Sequence, residues 1–310
     1  MPDPELSFVI PVYNEEENIP QLYRELTDVM KSVKRTYELI FIDDGSNDRS
    51  MRVIKELASR DPRVQYLSFR RNFGKSRALA EGFPCSRGSV IFTMDGDLQD
   101  DPREIPKFLA KMDEGYELVS GWKQRRQDPL GKTLPSKFFN WLTGRMTGIK
   151  LHDFNCGFKC YTRDAAMSLD IYGELHRYLP AIAHWKGFKV TEIPIHHRPR
   201  VAGKSKFGVS RLLKGFLDLF TVKFLMAFRE KPAHAFSSLG MLMFLAGFIA
   251  GSYLAYENLV YKAPIVRPLL FFVVLAIIVG IQLVSFGFIS ELIAYNSRKD
   301  LGSGVKEKSR

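Results

Sequence analysis

The fold is decided by residues 90–102, which read Val90-Ile91-Phe92-Thr93-Met94-Asp95-Gly96-Asp97-Leu98-Gln99-Asp100-Asp101-Pro102. An apolar run that ends at a turn is typical of a buried strand in an α/β sheet, and such sheets bind ligands beyond the carboxyl ends of their strands. Asp95 and Asp97 are separated only by Gly96, so both carboxylates can face one point. Hard oxygen ligands at this spacing suit Mg²⁺ or Mn²⁺. An acidic turn that precedes a helix beginning at Pro102 is the alternative explanation.

The composition of the chain predicts an anionic partner. Its 310 residues include 45 lysines and arginines against 34 aspartates and glutamates, which gives a formal net charge of +11. Nucleic acid, an anionic membrane surface and a phosphorylated substrate are all compatible with this excess. Three cysteines are an odd and sparse set for a disulfide framework, which favours a reducing compartment. The N-terminus has neither a basic nor an apolar signal region, so no cleaved signal peptide is expected.

Three strand and helix units precede the acidic stretch. Strands are predicted over residues 6–12, 38–42 and 64–69, and each is followed by a helical pattern that ends near residue 34, 60 or 83. Strands that alternate with helical patterns of ten or more residues predict βαβ units and a parallel sheet with right-handed crossovers.

Acidic side chains follow the predicted strands. Glu15 comes after the first strand, Asp43 and Asp44 after the second, and Asp95 and Asp97 after the fourth. Because the carboxyl ends of parallel strands meet at one edge, we expect these carboxylates around a nucleotide. The carboxylates after the first two strands can accept hydrogen bonds from a base or ribose. Asp95 and Asp97 would repel a diphosphate and can reach it only through a cation. No GxGxxG follows the first strand and no GxxxxGK[ST] occurs, so neither a dinucleotide cradle nor a P-loop is predicted.

Four motifs, in this order along the chain, resemble those of family 2 glycosyltransferases. They are Val9-Ile10-Pro11-Val12-Tyr13-Asn14-Glu15, Asp43-Asp44-Gly45-Ser46, Asp95-Gly96-Asp97-Leu98-Gln99-Asp100 and Arg200-Val201-Ala202-Gly203-Lys204-Ser205-Lys206. The resemblance covers about residues 5 to 210 and is strongest to the subgroup that includes dolichyl-phosphate mannose synthases and bactoprenol glucosyltransferases. It implies an α/β fold of the GT-A type, with a Rossmann-like, mostly parallel sheet. It also implies inverting transfer of one hexose from UDP-glucose or GDP-mannose to undecaprenyl or dolichyl phosphate.

The resemblance further implies which residues form the site. The metal, Mg²⁺ or Mn²⁺, is expected at Asp95, Asp97 and Gln99. The nucleotide sugar is expected to contact Pro11, Tyr13, Glu15, Asp43, Asp44, Lys75 and Asp95. The lipid phosphate is expected to contact Arg125, Arg126, Arg200, Ser205 and Lys206.

One departure from the family pattern leaves a phosphate contact open. Family members often carry a serine and arginine pair after the strand that ends near Ser120. This chain instead reads Gly121-Trp122-Lys123-Gln124-Arg125-Arg126. The phosphate-binding role is therefore assigned to Arg125 or Arg126 without a choice between them.

The residues expected to act in catalysis are Asp97, Asp153 and Arg200. Asp153 opens a loop that leads into a strand, and it could position the acceptor, act as a base or simply cap a turn. Arg200 lies in a basic loop just before a membrane segment, where it can meet a lipid phosphate. A solvated basic loop is the alternative. Because a phosphate monoester has a second pKa of about 6, its oxygen is already anionic at neutral pH and no strong base is obligatory.

The C-terminal third of the sequence predicts attachment to a membrane. Two runs without formal charge are each long enough to cross a hydrocarbon core of roughly 30 Å. Basic residues are more numerous outside this pair of runs than in the loop between them, so the catalytic domain and both termini are expected on the cytoplasmic side of the inner membrane. Gly247 and Gly251 form a GxxxG pattern, which permits close helix packing and hence a homo-oligomer.

These patterns divide the chain into four regions. A helix with one narrow polar stripe is expected in the bilayer interface ahead of the two spans, although a core helix has the same pattern. The regions are a GT-A domain (1–208), a juxtamembrane amphipathic helix (209–232), two transmembrane helices (235–256 and 269–290, within 233–294) and a basic cytoplasmic tail (295–310).

Two other functions fit parts of the sequence. A processive polysaccharide synthase usually carries a QxxRW motif and more membrane spans, and the sequence has neither. A catalytically inactive GT-A domain that serves as a membrane scaffold is opposed by the intact Asp95, Asp97 and Gln99. The partners expected are therefore a nucleotide-diphosphate sugar, a polyprenyl phosphate and membrane lipid, and not nucleic acid.

Overall fold

The computed structural model describes residues 3–124, 140–198 and 232–298, with gaps at 263 and 265. The chain forms two compact units, an α/β unit and a C-terminal pair of helices. The interfacial helix predicted over 209–232 and the tail predicted over 295–310 lie almost entirely outside the described residues. The predicted domain boundaries therefore stay predictions.

Within the described residues, the α/β unit is built on a mixed sheet of seven strands. The strand order is β3-β2-β1-β4-β6-β5-β7. Only β6 runs antiparallel to its neighbours, so the expectation of a mostly parallel sheet is confirmed. The strands are β1 (Leu6–Val12), β2 (Tyr37–Asp43), β3 (Val64–Ser68), β4 (Val90–Thr93), β5 (Leu118–Lys123), β6 (Lys159–Thr162) and β7 (Val190–Ile195).

Helices cover both faces of this sheet, and β1 and β2 are accordingly buried along nearly their whole length. Alternate residues of β1 enter different cores: Phe8 packs with Phe92 and Phe108 on one face, and Val9 packs with Ile40 on the other. The helices are α1 (Ile19–Val33), α2 (Ser50–Arg60), α3 (Lys75–Cys85), α4 (Ile105–Asp113), α5 (140–147 within the described residues), α6 (Arg163–Ser168) and α7 (Leu179–Trp185), with 3-10 turns at Pro102–Glu104 and Leu175–Arg177.

The C-terminal unit is a pair of long apolar helices, α8 (Pro232–Tyr261) and α9 (Pro268–Arg298). Within them, Phe236–Tyr261 and Pro268–Ile293 have mean hydropathies of 1.7 and 2.8 and are long enough to cross a membrane. Most of their large apolar side chains are exposed, including Leu242, Phe248 and Leu275. Because exposed apolar patches of this size are unusual in water, they are consistent with the transmembrane pair expected from the sequence.

Glycines let the two apolar helices pack backbone against backbone. A Cβ atom added to Gly240 would lie 2.7 Å from the carbonyl oxygen of Gly280. The GxxxG glycines are used in the same way, since added Cβ atoms would lie 2.9 Å from Ile277 at Gly247 and 3.2 Å from Val273 at Gly251. The pattern therefore serves packing within one chain. The homo-oligomer expected from it stays a prediction without this support.

Candidate active site

The sheet topology gathers the candidate site at one edge. The carboxyl ends of the parallel strands β1, β2 and β4 meet there, followed in the chain by Glu15, Asp44 and Asp95. Because β6 is reversed, its amino end lies at the same edge and brings Lys159 with it. Sequence periodicity does not reveal strand direction, so this contribution of β6 was not predicted.

The loops after β1 and β2 are tied to each other. Asn14 has a left-handed backbone with φ of 57°, its N–H donates to Ser46 Oγ at 3.0 Å, and its Oδ1 accepts from the N–H of Asn47 at 2.8 Å. The N–H of Glu15 donates to Ser50 Oγ at 2.8 Å. These bonds fix the two loops as one rigid surface at the strand ends. Pro11, Tyr13 and Glu15 are partly buried beside it.

Asp43 and Asp44 are buried and hold turns. Asp43 accepts hydrogen bonds from the N–H of Ser46 at 3.1 Å and from Ser68 Oγ at 2.7 Å. Asp44 accepts from the N–H groups of Phe73 and Gly74 at 2.7 and 2.9 Å. These contacts connect β2 to the loop that leads to Lys75. A nucleotide contact by either aspartate stays a prediction.

Asp95 forms an ion pair with Lys75, so the structure brings two predicted site residues together. Burial alone would raise the pKa of the Asp95 carboxyl, but the charges of Lys75 and Lys123 hold it below its usual range. Gly157, on the loop before β6, makes this arrangement possible. A Cβ atom there would lie 2.4 Å from Asp95 Oδ2 and 2.8 Å from Lys75 Nζ.

Asp97 and Gln99 lie on a tight turn after β4. Leu98 between them has a φ of 61°, an unusual conformation for a residue with a side chain. Such backbone strain is common at functional sites. Asp97 is 7% exposed, and its Oδ1 accepts from the N–H of Gln99 at 3.2 Å. The Gln99 side-chain nitrogen lies 3.4 Å from His197 Nε2, a residue that the sequence did not single out.

Lys123, the last residue of β5, is a second group that sequence reasoning missed. Its Nζ lies 3.7 Å from Asp100 Oδ1, and this carboxylate oxygen is buried without a hydrogen bond among the described residues. Burial and the nearby Asp95 and Asp97 charges raise the pKa of Asp100 to about 6 despite Lys123. Burial disfavours the charged form of Lys123, but the negative charge of Asp100 favours it, and the pKa of the Lys123 ammonium is raised. Its place at a strand end was the signal that could have identified it.

The loop before β6 supplies Asp153, which is buried and accepts at Oδ1 from the N–H of Asn155 at 3.1 Å. Lys159 is also buried, and its Nζ donates to the carbonyl oxygen of Cys156. Burial lowers the pKa of Lys159 to about 8, although Asp153 and Asp95 pull it upward. Asp153 therefore caps a turn, which is one of the three roles expected from the sequence, and it lies near the positive charge of Lys159.

The donor set fits a divalent cation held largely by a substrate. Within the described ranges no cluster of three His, Cys, Asp or Glu side chains is arranged to hold a metal. Asp95 and Asp97 supply two carboxylates, Gln99 an amide, and Asp100 an unsatisfied oxygen. Mg²⁺ and its analogues are typically bound by one or two carboxylates together with substrate phosphates and water. The residues present therefore match this mode rather than a cage made of protein alone.

Five predicted phosphate contacts cannot be placed. Arg125, Arg126, Arg200, Ser205 and Lys206 lie outside the described residues. Their roles stay predictions.

Comparison with known proteins identifies relatives over nearly the whole chain. The family model described as glycosyl transferase family 2 matches residues 7–169. The chain is 33% identical over 305 residues to a dodecaprenyl-phosphate galacturonate synthase of Rhizobium johnstonii, which covers 96% of this chain and 89% of that protein. It is 35% identical over 293 residues to an undecaprenyl-phosphate 4-deoxy-4-formamido-L-arabinose transferase of Shewanella sediminis, with coverages of 93% and 86%.

Solved structures share the fold of the α/β unit. Glucosyl-3-phosphoglycerate synthase from Mycobacterium tuberculosis, solved with Mn²⁺, UDP-glucose and phosphoglyceric acid, has a TM-score of 0.56 at 17% identity and covers 71% of this chain and 79% of its own. Mannosyl-3-phosphoglycerate synthase from Rubrobacter xylanophilus has a TM-score of 0.57 at 15% identity, with coverages of 71% and 74%. At these identities the likeness establishes the fold alone, and it agrees with the GT-A arrangement expected from the sequence.

Proposed function

The chain belongs to glycosyltransferase family 2, and we propose that it moves one sugar from a nucleotide-diphosphate sugar onto a polyprenyl phosphate at the membrane surface. The resemblance drawn from four sequence motifs is confirmed by the family match and by the curated relatives. The observation that carries the proposal is the ion pair of Lys75 with Asp95, two residues before Asp97 at the end of β4, in a chain that also holds two membrane-length helices. The names of both relatives include a polyprenyl phosphate acceptor.

We expect a single displacement, because the oxygen of a phosphate monoester is already anionic at neutral pH. A phosphate oxygen of the lipid forms a bond to the anomeric carbon while the bond from that carbon to the diphosphate breaks, which inverts the anomeric configuration. A divalent ion at Asp95, Asp97 and Gln99 supplies Lewis-acid stabilisation of the departing diphosphate when bound. Lys75 and Lys123 add fixed positive charge beside the acidic residues, and such preorganised charge stabilises a developing anion. Asp153 orients the acceptor side of the site.

The proposal also concerns the identity of the donor sugar. UDP-glucose and GDP-mannose are the donors expected from the sequence resemblance. The two relatives are named for galacturonate and for 4-deoxy-4-formamido-L-arabinose, so a uronic acid and a modified pentose also belong among the candidates. The cytoplasmic orientation of the α/β unit and the homo-oligomer are further parts of the proposal. The first rests on the distribution of basic residues around the spans.

The test is transfer by the purified full-length chain in lipid nanodiscs. Undecaprenyl phosphate is incubated with each of the four nucleotide-linked sugars and either Mg²⁺ or Mn²⁺, and the lipid products are separated by chromatography and mass spectrometry. One sugar per lipid is expected with one preferred donor. Longer products would instead identify a processive synthase. Absence of transfer from every donor would favour the scaffold role.

A further inference from the structure

A second group of polar side chains lies on the same edge, around His152. The rings of His152 and Trp122 stack with centroids 4.1 Å apart and planes 16° apart. Glu192 of β7 holds His152 at two points. One carboxylate oxygen pairs with the imidazole Nδ1, and the other accepts from the backbone N–H at 2.8 Å. Asn140 donates to the His152 carbonyl oxygen at 2.8 Å, so both the ring and its backbone are fixed.

This arrangement leaves one edge of the imidazole available. Because a carboxylate accepts at Nδ1, that nitrogen carries a hydrogen, and Nε2 forms no hydrogen bond within the part of the chain that the structure describes. The side chain of His152 is 65% exposed, whereas that of Glu192 is only 13% exposed. A histidine held in this way presents Nε2 as an acceptor when neutral and as a charged donor when protonated.

The position of His152 in the sheet indicates which substrate it faces. The loops tied together after β1 and β2 lie on one side of β4, and the β6, β5 and β7 strands lie on the other. Paired residues share a face of the sheet, and Lys159, opposite the last residue of β4, pairs with Ser120, which pairs with Glu192. Glu192, and Trp122 two residues beyond Ser120, therefore lie on the same face as Lys159 and near the same edge. If the nucleotide occupies the β1 and β2 loops, the diphosphate lies at β4 and the acceptor lies toward β5. His152 is therefore on the acceptor side.

We propose that His152 contacts the acceptor phosphate through Nε2, with Glu192 and Trp122 as positioning residues. This inference rests on the proposed function. His152 Nε2 and the phosphate share one proton. In one state the proton is on Nε2, which then faces a phosphate dianion, and in the other it is on a phosphate oxygen, which then faces neutral Nε2. Movement of that proton from oxygen to Nε2 leaves the total proton count unchanged. It also leaves the phosphate oxygen negative for attack on the anomeric carbon. The ligand class is a phosphate monoester.

The test compares His152→Phe, which keeps a ring on Trp122 but removes both nitrogens, with His152→Gln, which keeps an amide near the Nε2 position. His184→Gln, at an exposed histidine in the last turn of α7, is the matched control. In full-length chains in nanodiscs we expect His152→Phe to raise the KM for undecaprenyl phosphate about 10-fold, the loss typical of one hydrogen bond to a charged group. We expect a smaller rise for His152→Gln and no change in donor KM. Glu192→Gln should give an intermediate rise.

Two results would overturn the contact. An unchanged lipid KM in His152→Phe would exclude it, and an equal rise in donor and lipid KM with a lowered Tm would assign His152 a purely structural role. Competition by citronellyl phosphate and by inorganic phosphate separates the possible ligands. Weaker binding of citronellyl phosphate in His152→Phe supports the proposal, and a loss confined to inorganic phosphate would assign the site to free phosphate instead. Citronellyl phosphate binding can be measured without turnover, so it decides the role of His152 even if the wild-type chain transfers no sugar.

Discussion

Replacing Gly157 by alanine should separate catalysis from stability. The new Cβ atom would lie 2.4 Å from Asp95 Oδ2, 2.8 Å from Asp95 Cγ and 2.8 Å from Lys75 Nζ. Carbon and oxygen atoms in ordinary contact are more than 3 Å apart, so the Asp95 carboxylate must move by roughly 1 Å. The atoms in the way are the ends of two side chains rather than backbone. The fold can therefore accommodate the methyl group by separating the carboxylate from its partner.

The expected result is a large loss of rate with a small loss of stability. A displacement of about 1 Å in a catalytic group can cost about 10²-fold, or about 2.7 kcal/mol of barrier. Overpacking costs about 1–3 kcal/mol of stability, and the lower end is expected here because side-chain ends can move. The rate is measured as labelled sugar transferred to undecaprenyl phosphate with both substrates saturating, and stability is measured as the thermal midpoint in the same nanodiscs.

Gly88→Ala provides the matched control. A Cβ atom there would lie 2.8 Å from backbone atoms of Leu6 and Ser7, at the opposite edge of the sheet. This variant should lose more stability than Gly157→Ala and keep its rate at temperatures where it is folded. If Gly157→Ala turned over within threefold of the wild-type rate, the assignment of Asp95 to the reacting site would be refuted.

Three further predictions concern the metal, the basic loop and the acceptor. Asp97→Asn should abolish transfer and weaken nucleotide binding only when Mg²⁺ or Mn²⁺ is present, as measured by calorimetry, and full wild-type activity in excess chelator would contradict a metal role. Arg200→Ala and Lys206→Ala should each lower transfer without lowering the thermal midpoint, because the basic loop expected from the sequence would contribute little stability. Wild-type turnover of Arg200→Ala at saturating lipid would exclude its phosphate contact. The rate should fall with acidity as the lipid phosphate, with a second pKa of about 6, becomes protonated. Asp153→Asn should keep more activity than Asp97→Asn, and an α-linked product from an α-linked donor would rule out single displacement.

Local patterns in the sequence determined most of the architecture. The predicted strand at residues 6–12 coincides with β1 (Leu6–Val12). The strand predicted at 38–42 is one residue shorter than β2 at each end, and the strand predicted at 64–69 is one residue longer than β3 at its C-terminal end. The two long apolar runs became α8 and α9. These features follow from apolar periodicity and run length, which are properties of neighbouring residues.

The contacts within the site were decided only by tertiary structure. The reversal of β6 brought Gly157 against Asp95 and Lys159 to the reacting edge, and sequence spacing carries no signal for strand direction. Lys123 ends β5 and Asp100 lies in the loop after β4, so their pairing depends on how these two parts of the chain pack.

The contacts of the GxxxG glycines and of His152 were also decided by tertiary structure. The GxxxG glycines pack against the second helix of their own chain, a choice of partner that the motif alone does not make. His152 and Glu192 are 40 residues apart in the chain but paired in space. Residue order predicts which segments form strands and helices because apolar periodicity and run length are properties of neighbouring residues. Which side chains meet depends on how the segments pack, since that packing is set by burial summed over the whole domain.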